Sequence, residues 1–91
     1  MNDGYYQLES EKFVNGFFRL LDEHKADPTS YHSVYLRHPF VLIISADGYL
    51  DLVNSETNKT VSHSRNLKKS DPRWISYAGK MLAKYLEKLS V

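Results

Sequence analysis

Residues 39 to 53 read Pro-Phe-Val-Leu-Ile-Ile-Ser-Ala-Asp-Gly-Tyr-Leu-Asp-Leu-Val. Five apolar residues in a row, Phe40 to Ile44, are followed by Asp47-Gly48 and then by the alternation of Tyr49, Leu50, Asp51, Leu52 and Val53. An Asp-Gly pair between β-rich runs predicts a hairpin with a type I′ turn. Both central residues of that turn need positive φ, which Gly takes freely and Asp tolerates. An unbroken apolar run, unlike a strict alternation, predicts a strand covered on both faces. The helical stretches on either side of the hairpin are its natural covers.

Working toward the N-terminus, Tyr31, Ser33 and Tyr35 alternate with His32, Val34 and Leu36 as in a short strand. Pro39 lacks an amide donor, which puts residues 31 to 38 on an edge or ends them at a break. Asp27-Pro28-Thr29-Ser30 reads as a turn. Before it, Phe13, Val14, Phe17, Phe18, Leu20 and Leu21 recur at spacings of three and four, a helix over residues 10 to 25 with Ser10 as N-cap. Phe13, Phe17, Leu20 and Leu21 are expected inward. Gly16 fits a place where the helix backbone closely approaches the sheet. Residues 1 to 9 are expected to be an N-terminal extension, with Tyr5, Tyr6 and Leu8 available to pack back on the core.

Toward the C-terminus, residues 54 to 59 are polar and turn-rich, and Thr60-Val61-Ser62-His63 offers a weaker third strand. A second helix over residues 71 to 90 opens on Asp71 as N-cap with Pro72 at the first helical position. Trp74, Ile75, Ala78, Met81, Leu82, Tyr85, Leu86 and Leu89 form its apolar stripe, and Arg73, Tyr77, Lys80, Lys84 and Lys88 a second face. The expected architecture is a single compact α+β domain spanning residues 1 to 91. It has an N-terminal helix, a three-stranded antiparallel meander over residues 31 to 64 with room for an extra edge strand, and a C-terminal helix packed on the sheet. Leu42, Ile44, Leu52, Phe17 and Leu82 are the expected core.

The composition, 42% hydrophobic and 25% charged over 91 residues, is that of a globular domain. With no cysteine, thiolate chemistry and disulfides are excluded, and a reducing compartment is the simplest setting. The N-terminus shows no signal peptide and no run is long enough to span a bilayer, so the expected location is cytoplasmic, or host-cytoplasmic for a phage-encoded chain. His24, His32, His38 and His63 lack metal-site spacing, and the four glycines are scattered, so no metal, cofactor or phosphate loop is implied. Ser62-His63 are sequence neighbours, which on a strand point to opposite faces. The chain is therefore expected not to be an enzyme.

Charge is uneven. Residues 1 to 30 hold six acidic side chains against three basic, whereas residues 65 to 91 hold seven basic against two acidic. Arg65, Lys68, Lys69, Arg73, Lys80 and Lys84 are the candidate anion or nucleic-acid contacts, clustered around a helix start whose free amides add positive potential. In element order, with lysines at that junction, the chain resembles the double-stranded-RNA-binding domains in outline. The Gly-rich loop and Ala-rich helix start of that family are missing, and Pro72 stands at the junction, so the likeness is one of topology. Asp47, Asp51 and Glu56 oppose an RNA-reading role for the hairpin.

Seven tyrosines exceed what a small core hides, and tyrosine suits interfaces. Tyr31, Tyr35, Arg37 and Tyr77 are the candidate partner-binding residues. The expected function is that of a small regulatory or inhibitory binding protein, of the antitoxin, immunity-protein or phage-inhibitor class. It would occlude a surface of a larger protein or nucleoprotein complex, as a monomer or small homo-oligomer without membrane association. A nucleic-acid-binding module is the alternative.

Overall fold

The computed structural model describes residues 3–68 and 70–89. Helix α1 (Asp3–Ala26) is followed by strands β1 (His32–Tyr35), β2 (Phe40–Ile44), β3 (Leu50–Asn54) and β4 (Lys59–Ser64), and then by helix α2 (Arg73–Leu89). The strands form one antiparallel meander in the order β1-β2-β3-β4. The α+β class holds. The sheet has four strands, because residues 32 to 35 pair along their whole length with residues 41 to 44.

Helix α1 starts at Asp3, not at Ser10, so residues 3 to 9, expected as an extension, belong to the helix. Ser10 lies inside the helix and does not cap it. Glu9, the residue before it, accepts a hydrogen bond from the Tyr85 hydroxyl at 2.7 Å, which secures this early part of the helix to α2. The other end stops as expected. Asp27 N–H donates to Glu23 O at 2.9 Å, Pro28 ends the run, and the Asp27 carboxylate accepts from Ser30 Oγ, Thr29 Oγ1 and Thr29 N–H. The hydrogen bond from Ser30 first, then those from Thr29, hold this carboxyl below the usual carboxylate range.

The central hairpin is present with a different turn. Gly48 N–H donates to Ser45 O at 3.0 Å and Ser45 N–H to Tyr49 O at 2.9 Å, closing a three-residue loop over Ala46, Asp47 and Gly48. Gly48 alone of the three has positive φ, at 87°. This is the type I turn followed by a left-handed glycine, and not the expected two-residue type I′ turn. The β1–β2 connection closes through Phe40 N–H to Arg37 O at 2.9 Å, with a cis His38–Pro39 peptide. In the β3–β4 loop, Asn54 Oδ1 accepts from the amides of Glu56 and Thr57, and Asn58 takes φ 57°.

Both helices lie on one side of the sheet. Strand alternation turns Val34, Leu42, Ile44, Leu50 and Leu52 toward Phe13, Phe17 and Leu20 of α1 and Trp74, Met81 and Tyr85 of α2, in a single buried cluster. The expectation that β2 is covered by helices on both faces is thus corrected. Its apolar run reflects a central position in the sheet: Val41, on the helix-free face, is buried between its cross-strand partners Tyr35 and Val53. Leu42, Ile44, Leu52 and Phe17 are fully buried, but Leu82 is only half-buried at the margin of the core. Gly16 does mark a close approach, since a Cβ there would sit 2.8 Å from Val34 Cγ1.

Candidate interaction surface

The helix-free face of the sheet is built by the odd-numbered residues of β1, β2 and β3. In β1 the alternation puts Ser33 and Tyr35 on this side, and Tyr31, the residue before the strand, continues the same phase; Tyr31 is 73% and Tyr35 76% exposed. Beside them, Val41 and Ile43 of β2 and Val53 of β3 make an aliphatic centre. Adjacent strands lie about 4.8 Å apart, so the row Tyr35, Val41, Val53 is an apolar strip about 10 Å wide. The far side of the face is polar. His63 pairs with Asp51 through its Nδ1, and the Tyr49 ring stacks on His63 at 5.1 Å and 27°. Two aromatic edges thus flank an aliphatic centre, with a fixed polar group at one end.

Of the four candidate partner-binding residues, the structure groups two on this face. Arg37 sits in the β1–β2 turn, where its N–H donates to Tyr85 Oη at 3.1 Å. Tyr77 is on α2, in the other layer, with Lys80 Nζ 5.4 Å from its ring centroid. Neither joins Tyr31 and Tyr35.

The candidate anion-binding residues also divide. Lys69 lies outside the described residues. Arg73 is held by Asp71 in a bidentate pair, with contacts of 2.6 and 3.0 Å, and Asp71 Oδ1 accepts from Arg73 N–H at 2.9 Å. The anion site expected at the start of α2 is therefore filled by an internal carboxylate, which those bonds hold down to about 2. The connector is structural in part: Lys68 O accepts from Trp74 Nε1 at 2.8 Å and from Asp71 N–H at 2.8 Å. Arg65 and Lys68 are exposed on it. Lys80 and Lys84 fall on one flank of α2 together with Lys88, and none of these cations shares the sheet face with Tyr31 and Tyr35.

Comparison with protein-family models, with curated proteins and with solved structures finds no significant match.

A further surface escapes the sequence reading. Val14 and Phe18 of α1, with Ile75, Gly79 and Leu82 of α2, line an apolar groove of about 160 Å³ on the outside of the helix pair. Phe18 is 46% and Ile75 66% exposed. The signal was the i, i+4 pair Val14 and Phe18, displaced by one position from the inward Phe13 and Phe17. Among the described residues, no group of three or more His, Asp or Glu converges to hold a metal ion. No helix among them is long and apolar enough to cross a membrane. Strand alternation separates Ser62, opposite Leu52 on the helix side, from His63, opposite Asp51 on the other.

Proposed function

We propose that the chain is a small non-catalytic binding protein that acts by occupying a surface of a larger protein, and that the helix-free face of its sheet is the contact. The observation that supports this is the pair of tyrosines at the two ends of the edge strand, Tyr31 just before it and Tyr35 its last residue beside Val41, both about three-quarters exposed. Tyrosine is preferred at protein interfaces because it buries a large apolar area with few rotatable bonds and keeps a hydroxyl for the partner. The face carries Asp51 and no lysine or arginine on its strands, a character suited to a protein surface more than to a polyanion. An inhibitor or regulator of this kind acts by occlusion and needs no chemistry of its own.

The test is affinity capture after nuclease treatment, comparing the native chain with two double variants. A single stoichiometric partner that is kept by Phe18→Glu/Ile75→Glu and lost by Tyr31→Glu/Tyr35→Glu supports the sheet face. The opposite pattern moves the contact to the helix groove. Recovery that depends on nucleic acid refutes direct protein binding.

A further inference from the structure

The two edges of the sheet are not equivalent. On β1, the Ser33 carbonyl is already taken by Arg19 Nη2 at 3.0 Å, and α1 runs alongside. Among the described residues, strand β4 has a neighbour on one side only, β3. Helix α2 lies antiparallel beside it. The start of α2 is tied to the connector after β4 by Trp74 Nε1–H to Lys68 O, and near its other end Lys88 shares a cleft of about 300 Å³ with Lys59, Thr60 and Val61 at the beginning of β4. Ile75 and Leu82 of α2 face the groove shared with α1, so helical spacing turns Lys80, Lys84 and Lys88 to the opposite flank, the β4 side.

These three lysines recur every fourth residue, about 6 Å along the helix. Side chains on one face of an extended strand recur every second residue, about 6.6 to 6.8 Å. The two repeats stay in step over three positions. We propose that the free edge of β4, with the α2 lysine row beside it, accepts an acidic segment of extended polypeptide as a fifth strand, its alternate carboxylates meeting Lys80, Lys84 and Lys88. This contact is separate from the tyrosine face and does not depend on it.

Charge selects the occupant. A second copy of this chain would bring the same lysines against themselves, and lysines on an edge are a standard guard against self-pairing. An acidic strand meets the opposite condition. The main-chain N–H and C=O groups along the edge pair with a peptide backbone, which a phosphodiester chain cannot match. Where Leu52 pairs with Ser62 and Val53 with Thr60, Val61 is an extra residue, a bulge that leaves Ser62–Ser64 as the regular stretch for pairing. The Lys84 to Glu87 contact, at 4.0 Å between two exposed groups, is too weak to withhold Lys84.

The probe is an acetylated ten-residue peptide alternating Glu and Thr, titrated into the isotope-labelled chain at low salt with amide shifts as the readout. Saturable binding with Kd below about 1 mM is expected, with shifts confined to residues 59 to 64 and the lysine flank of α2. A peptide of equal charge with three prolines, short of amide donors, is expected to bind at least tenfold more weakly. Lys80→Gln/Lys84→Gln is expected to weaken the first peptide and leave the fold unchanged. Equal binding of the proline peptide, or tighter binding of an oligothymidylate of the same charge, would overturn strand addition in favour of simple charge attraction. No binding of the alternating peptide would reduce the lysine row to edge protection.

Discussion

The hydroxyl of Tyr85 donates to Glu9 Oε2 at 2.7 Å and accepts from Arg37 N–H at 3.1 Å, joining α2 to α1 and to the β1–β2 turn at one buried atom. Burial, and then the hydrogen bond to Glu9, push this hydroxyl well above the ordinary tyrosine range, so it stays a neutral donor. The ring itself sits between Phe13 and Phe40, with both centroids 5.6 Å away. Tyr85→Phe keeps those ring contacts and leaves the Arg37 amide and the Glu9 carboxylate without this partner. A loss of about 1 to 3 kcal/mol is expected in denaturant unfolding. No loss would mean that water replaces the hydroxyl at both groups.

Gly16→Ala should run against helix propensity. Alanine in a helix interior is ordinarily favoured over glycine by about 1 kcal/mol. Here the new methyl meets Val34 Cγ1 at 2.8 Å, and a β-branched side chain has few other rotamers to take. The variant is expected to be destabilised by about 1 to 3 kcal/mol, as for other overpacked cores. Adding Val34→Ala should relieve the clash, so the double-mutant cycle shows a favourable coupling. A Gly16→Ala protein more stable than the native one would place α1 farther from β1.

The turn geometry separates Asp47 from Gly48. Gly48 has φ 87°, and a Cβ on it would stand 2.4 Å from Leu67 O, so Gly48→Val should lower the unfolding midpoint sharply. Asp47 is not at positive φ. Asp47→Ala is therefore expected to be nearly neutral, within about 0.5 kcal/mol as for an ordinary surface change. A large cost at both positions would restore the two-residue type I′ turn.

Much of this architecture is written in local pattern. The period-2 and period-3.6 signals of Phe40–Val53 and of Phe13–Leu21 put the elements in place, Asp27-Pro28 stopped α1, and Asp71 caps α2 with its carboxylate on Arg73 N–H. What local pattern omitted is nonlocal. The early start of α1 is held by Glu9 against Tyr85, far along the chain. His24 is buried beside Trp74, with ring centroids 6.2 Å apart, and nothing near His24 in sequence announces it. The run Phe40–Ile44 was legible as buried strand, but a buried run does not say whether helices or cross-strand neighbours such as Tyr35 cover its second face. Tyr31 and Tyr35 could be named from alternation, whereas their separation from Arg37 and Tyr77 needed the layer assignment.

Asp71 predicts a pH dependence. Its carboxyl is held down to about 2 by hydrogen bonds from the Arg73 side chain and backbone, against about 3.9 in an unfolded chain. With the folded value depressed, the unfolded chain takes up the proton first, so the contribution is complete above about pH 4 and is lost as pH falls toward 2. Asp71→Asn retains a capping oxygen and cannot titrate. The stability difference between native chain and variant should be flat above about pH 5 and shrink between pH 4 and 2. A difference that stays constant down to pH 2 would contradict the pairing with Arg73.

Hydroxyl-radical footprinting of the chain, free and in the nuclease-treated complex captured with it, tests the proposed contact most directly. Tyr31 and Tyr35 are both highly exposed in the free chain and are reactive toward oxidation, and Phe18 of the helix groove serves as the internal control. Severalfold protection of Tyr31 and Tyr35 with Phe18 unchanged is the expected result. Unchanged oxidation of both tyrosines in the complex, with or without protection of Phe18, would contradict docking through the helix-free face of the sheet.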